Sequence, residues 1–147
     1  HVDIAQRAAA LFDCLMVGVY ARPDKSLLFS VEERVTLVRT ALKDIPNIQV
    51  CSYDGLTVDF AYSQGVKVLV RGLRVISDFE LEYQMALTNQ KLCSEVDTVC
   101  LMTNLEHAFL SSSVVKEICM AGGNVSDLVP PAVAQALQRK REDKART

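Results

Sequence analysis

The sequence predicts an α/β fold in which a parallel sheet carries helices on both faces. Two observations predict it. Short apolar runs rich in β-branched residues alternate along the chain with stretches whose apolar residues recur at helical spacing. Capping boxes, glycines and a proline pair punctuate the alternation where helices should begin or end.

The elements follow in order. Residues 3–12 carry Ile4, Ala8 and Leu11 at helical spacing, ahead of a strand over Cys14–Tyr20. A polar stretch over 21–29 leads to Ser30-Val-Glu-Glu33, a capping box in which Ser and Glu satisfy each other's orphan amides. The helix it opens, about 31–43, presents Val35, Val38, Ala41 and Leu42 inward. A strand at 48–51, a helix near 56–64 that stops at Gly65, and a strand at 66–70 come next. Ser77-Asp-Phe-Glu80 reads as a second capping box, with Phe79, Tyr83 and Ala86/Leu87 on one stripe of a helix to about 92. A strand at 96–102 precedes a polar loop, the triple serine 111–113 and a helix to about 121. Gly122-Gly123 stops that helix, Pro130-Pro131 opens the last one, and residues 139–147 read as a frayed, mixed-charge tail.

At 147 residues the chain is one domain by size, long enough to bury a core. A net charge of −2 argues against a general nucleic-acid binder, so anion binding must come from local placement. No run approaches the roughly 18–20 apolar residues of a membrane span. The five cysteines lack a C-x-x-C spacing, and Cys14, Cys51 and Cys100 lie in or beside apolar runs. They read as free thiols of a cytoplasmic protein. With only His1 and His107 as histidines, a zinc cluster is not expected.

In parallel sheets ligands bind beyond the carboxyl ends of the strands. The loops there, 21–29, 52–57, 71–77 and 103–113, hold the chemistry. The first carries Arg22 and Lys25, the third Arg71, Gly72 and Arg74, and the fourth His107 with Ser111, Ser112 and Ser113. Arginine forks match phosphate oxygens in pairs, whereas lysine supplies a mobile point charge. Gly72 would let backbone approach a ligand, and serines at a helix start add free N–H groups and the positive dipole end. Neither G-x-x-x-x-G-K-[ST] nor G-x-G-x-x-G occurs, and there is no Ser-His-Asp order. Phosphoryl or nucleotidyl transfer needs none of these, because an ionised phosphate is already a nucleophile.

These residues resemble the phosphopantetheine adenylyltransferases over nearly the whole chain. The resemblance rests on Arg22-Pro-Asp-Lys25, Phe29-Ser-Val-Glu-Glu-Arg34, Val70-Arg-Gly-Leu-Arg74, Asp78-Phe-Glu-Leu-Glu82 and Phe109-Leu-Ser-Ser-Ser-Val-Val-Lys-Glu117. It implies one domain of Rossmann-like nucleotidyltransferase fold. It also implies a reaction: ATP and 4′-phosphopantetheine give dephospho-coenzyme A and pyrophosphate, with Mg²⁺ and in a homohexamer. By position, His1 is similar to the second histidine of the H/T-x-G-H signature and would stabilise charge at the α-phosphate. Lys25, Thr57 and Arg71 would contact the acceptor phosphate, with His1, Lys25 and Arg71 as the catalytic set. Gly72, Leu73, Arg74, Glu82 and the stretch His107, Ala108, Phe109, Leu110, Ser111, Ser112 and Ser113 would join His1 around ATP. No residue is expected to hold a metal directly.

Family members begin with a strand and a G-T-F-D-P loop ahead of the signature histidine, whereas this sequence starts at His1. The expectation is that this strand belongs to the whole protein and fills a central place in the sheet. A chain without it would fold poorly and be nearly inactive. Two alternatives stand beside adenylyl transfer: a sister nucleotidyltransferase with another phosphate acceptor, and a non-catalytic nucleotide-binding module.

Overall fold

The computed structural model describes residues 1–23 and 27–146. Its elements are α1 (Val2–Ala9), β1 (Leu15–Tyr20), α2 (Val31–Ala41), β2 (Ile48–Tyr53), α3 (Thr57–Ser63), β3 (Val68–Leu73), α4 (Ile76–Leu92), β4 (Asp97–Met102), a 3-10 turn (Leu105–His107), α5 (Ser112–Met120) and α6 (Pro131–Ala145). The alternation matches the α/β reading. No helix among the described residues is long and apolar enough to cross a membrane.

Among the described residues all strand pairing is parallel. β1 runs beside β2 with Leu15 opposite Ile48, and β3 beside β4 with Val68 opposite Asp97. Among the described residues these are two separate pairs, where the sequence reading had one sheet. Helix α1 bridges them, packing on both β1 and β3. Helix α2 covers β1 and β2, while α4 covers β3 and β4.

The Ser30 box forms as read: Ser30 Oγ accepts from Glu33 N at 3.2 Å, and Ser30 N donates to Glu33 Oε2 at 2.8 Å. Gly65 and Gly122 end their helices at φ +68° and +90°, the left-handed region that favours glycine. One core joins α5 and α6 through Val115, Cys119, Val125, Ala134 and Leu137, and another joins Val58 and Ala61 of α3 to Val96.

Four local expectations are corrected. Strand β3 does not end at Val70 but continues through Arg71, Gly72 and Leu73, which pair with Cys100, Leu101 and Met102. Ser77 caps nothing: α4 starts two residues earlier than that box implies, Val75 is its N-cap, and Asp78 reaches back to Arg74 N at 3.0 Å. Residues 139–145 are helix, not a frayed tail, and Lys140 Nζ lies 2.8 Å from Glu33 Oε1 and 5.7 Å from the Phe29 ring centre. Among the thiols it is Cys119 that is buried, whereas Cys14 and Cys100 are exposed.

The α4 stripe also turned. Asp78, Glu82, Ala86 and Asn89 are its partly buried positions, while Phe79 and Tyr83 stack on each other in solvent with ring centres 5.8 Å apart. Two carboxylates sit on that inner stripe because two arginines on the β3 side receive them.

Candidate active site

The carboxyl end of β3 is the centre of the site. Arg71 points to α4, where Nε donates to Glu82 Oε2 at 2.7 Å and Nη2 to Glu82 Oε1 at 2.6 Å. This is the side-on fork of a guanidinium on a carboxylate, which fixes orientation as well as charge. It leaves both Nη1 protons without a partner among the described residues. The Glu82 hydrogen bond, outweighing burial, raises the Arg71 pKa above its ordinary value; Tyr53 and Cys100 add smaller charge effects. Tyr53 is the last residue of β2. Its hydroxyl also lies 2.9 Å from Thr57 Oγ1, at the first turn of α3. Thr57, read from sequence as a partner of Arg71 toward the acceptor phosphate, bonds Tyr53 and not Arg71.

Arg74 sits just past the strand and binds a different carboxylate. Nε donates to Asp78 Oδ2 at 3.0 Å, Nη2 to Asp78 Oδ1 at 3.1 Å, and Nη1 to the Leu110 carbonyl at 2.8 Å. The Arg74 guanidinium, and after it the Arg74 backbone amide, holds Asp78 below the usual carboxylate range. Each arginine thus has its own carboxylate: Glu82 belongs to Arg71, and Asp78 to Arg74.

Gly72 is exposed, but its Cβ side faces α1. A Cβ there would meet Ile4 Cγ1 of α1 at 3.1 Å, so the missing side chain lets α1 approach β3. Leu73 is buried.

Helix α1 is tied down at the same end. Asp3 Oδ1 accepts from Asn104 Nδ2 at 2.8 Å, and Arg7 Nη1 donates to the Met102 carbonyl. These bonds place the N-terminus of α1, and exposed His1 as its N-cap, beside the exit of β4. In the loop there, His107 Nε2 is 3.5 Å from Glu106 Oε1 on the 3-10 turn, which ends at Ala108. Phe109 is exposed, and Leu110 packs on the α5–α6 core. Ser111 is the N-cap of α5, its Oγ accepting from Val114 N at 3.2 Å; Ser112 and Ser113 form the first turn with their side chains toward solvent.

On the first loop, Arg22 pairs with Asp54 at 2.9 Å, a contact between two largely exposed groups. Lys25 lies outside the described residues. Both flanks of its loop are held, by Arg34 donating to the Tyr20 and Ala21 carbonyls at 2.6 and 3.1 Å, and by the Ser30 cap. Sequence reasoning passed over Arg34, Tyr53 and Asn104, whose contacts no local pattern marks. The pairing of Asp78 with Arg74 had a signal, its four-residue spacing.

Parallel strands thus bring the α1 N-terminus and two carboxylate-oriented arginines together near their carboxyl ends. A family model described as cytidylyltransferase-like matches residues 1–118. The chain is 50% identical over 144 residues to the phosphopantetheine adenylyltransferase of Lachnoclostridium phytofermentans, covering 98% of this chain and 88% of that one. It is 49% identical over 146 residues to that of Heliobacterium modesticaldum (99% and 87% covered), and 52% identical over 134 residues to that of a Nostoc species (91% and 70% covered). The chain belongs to the phosphopantetheine adenylyltransferase family, and so to the nucleotidyltransferases of coenzyme A biosynthesis.

Proposed function

We propose that this chain transfers the adenylyl group of ATP to 4′-phosphopantetheine at the carboxyl end of β3. The observation that carries the reading is the placement of Arg71 and Arg74 on either side of Gly72-Leu73, each oriented by its own carboxylate. An acceptor phosphate oxygen attacks the α-phosphorus, the α–β phosphoanhydride bond breaks, and pyrophosphate leaves. The protein's part is positioning and charge stabilisation. Arg71, with Thr57 and Lys25, faces the acceptor phosphate through its unpaired Nη1 edge. Arg74, with Gly72, Leu73, Glu82 and residues 107–113, serves the nucleotide, and His1 takes up charge developing at the α-phosphate. Gly72 contributes by seating α1, and with it His1.

Mg²⁺ enters this proposal with ATP. No group of three His, Cys, Asp or Glu side chains that could hold a metal exists among the described residues, and Asp78 and Glu82 are bound to arginines. A hard cation kept largely by phosphate oxygens and water fits such a site. A homohexamer belongs to the same reading. No residue of α4 is buried, and Ile76, Phe79, Leu81 and Tyr83 are exposed along it, which supports burial against further copies. A cytoplasmic location completes the reading.

The test is pyrophosphate release. ATP with 4′-phosphopantetheine should release it, while CTP, or ATP with nicotinamide mononucleotide or glycerol 3-phosphate, should not. Release with another acceptor and none with phosphopantetheine would overturn the assignment.

Glu82→Gln is expected to raise the KM for both substrates several-fold, because Glu82 both fixes Arg71 and lies on the nucleotide side. An amide offers one acceptor oxygen where the fork uses two, and its NH₂ faces a cation. Stability should fall by about 1 kcal/mol, since the Arg71 side chain is 53% exposed and water screens the pair. Thermal melting with steady-state kinetics checks both parts; normal KM values would remove Glu82 from the site.

A further inference from the structure

We propose that Asp78 is a positioning residue for the nucleotide: it sets the Arg74 fork in place and latches the β3 exit to the loop that starts α5. The inference rests on the reading that Arg74 serves ATP. Arg74 is a long side chain just beyond a strand, where nothing in the strand ladder fixes its rotamer. The Asp78 carboxylate binds it three times, through Nε, Nη2 and the backbone amide. With its side pinned, the guanidinium reaches across to the Leu110 carbonyl, immediately ahead of the Ser111 cap. One clamp thus joins two loops that come from different strands and meet the same ligand. Each Nη keeps a second proton for a phosphate oxygen.

The Asp78 charge would also repel a triphosphate, so two effects of opposite sign compete. Both carboxylate oxygens are engaged by a cation, which screens the repulsion. The orientation is fixed before ATP arrives, so less rotamer freedom is lost on binding. Orientation therefore wins, and removing Asp78 weakens ATP binding.

The experiment is steady-state kinetics on Asp78→Ala and Asp78→Asn, each alone and with Arg74→Ala. Asp78→Ala should raise the KM for ATP about tenfold and leave that for phosphopantetheine within about twofold. Asp78→Asn, which keeps one acceptor oxygen, should fall between. With Arg74→Ala already present, Asp78→Ala should add nothing to the ATP defect. A role confined to starting α4 would instead lower the melting temperature and spare the ATP-specific KM. An unchanged or lowered KM for ATP in both single variants would overturn the proposal, as would an undiminished further loss in the Arg74→Ala background. Normal ATP kinetics in Arg74→Ala alone would remove the nucleotide role of Arg74 itself, and this inference with it.

Discussion

His1→Ala is expected to lower kcat by about 10²–10³-fold, with the KM for either substrate changed only a few-fold. The magnitude is that of losing one donor aimed at charge that develops in the transition state. The ground state carries less charge at that oxygen, so binding suffers less than turnover. The structure supplies the reason to look for this donor here. Asp3–Asn104 and Arg7–Met102 fix the first turn of α1 at the β4 exit, and Gly72 admits Ile4 beneath it. His1 itself makes no side-chain cap bond and is exposed, so the substitution should leave stability within about 0.5 kcal/mol. His1→Gln keeps a neutral donor and should recover part of the rate. Rapid-quench measurement of pyrophosphate formation at saturating substrates separates this step from product release. A kcat loss below about threefold would exclude His1 from the chemistry.

The parallel alternation and most element boundaries were legible because they are local: β-branched runs, a Ser30 box and glycines at φ > 0 state their own structure. The arginines of the site were legible for the same reason, as charges at a strand exit. What they touch was not. Whether Glu82 meets Arg71 or Arg74 depends on which side of α4 faces β3, and an apolar stripe through Phe79 and Tyr83 suggested the wrong side. Ion pairing at a half-exposed strand exit overrode hydrophobic periodicity there, because each guanidinium takes up a carboxylate in a bidentate fork. The continuation of β3 through Arg71 was hidden similarly. Charge and glycine read as loop, yet Arg71 and Gly72 stay in the ladder because Cys100 and Leu101 pair with them. The bond from Asp3 to Asn104 spans the chain from one end of the site to the other, and no local pattern announces such a contact.

Arg71→Ala is expected to raise the KM for phosphopantetheine roughly ten- to a hundredfold while changing that for ATP much less. Charge-assisted bonds to an acceptor phosphate contribute about 1.5–3 kcal/mol each, and the Nη1 edge left unpaired by Glu82 is the group that would make them. The same substitution has a second consequence. Glu82, with a side chain only 14% exposed, loses its bidentate partner. Leaving it unpaired should cost about 1–3 kcal/mol, reduced by whatever water enters the space of the half-exposed arginine. At this chain length each kcal/mol lowers Tm by about 2–4 °C. Stability and affinity would then fall together, so one variant cannot tell binding from distortion. Adding Glu82→Ala separates them: removing both partners of the fork should restore most of the lost Tm and none of the acceptor affinity. Arg71→Lys should restore charge but not the fork, since one ammonium cannot hold Glu82 side-on and face a phosphate at once. Its KM for phosphopantetheine should lie between the wild type and Arg71→Ala. If the double variant instead regained acceptor affinity with its stability, Arg71 would be a structural partner of Glu82 and not the acceptor's phosphate site.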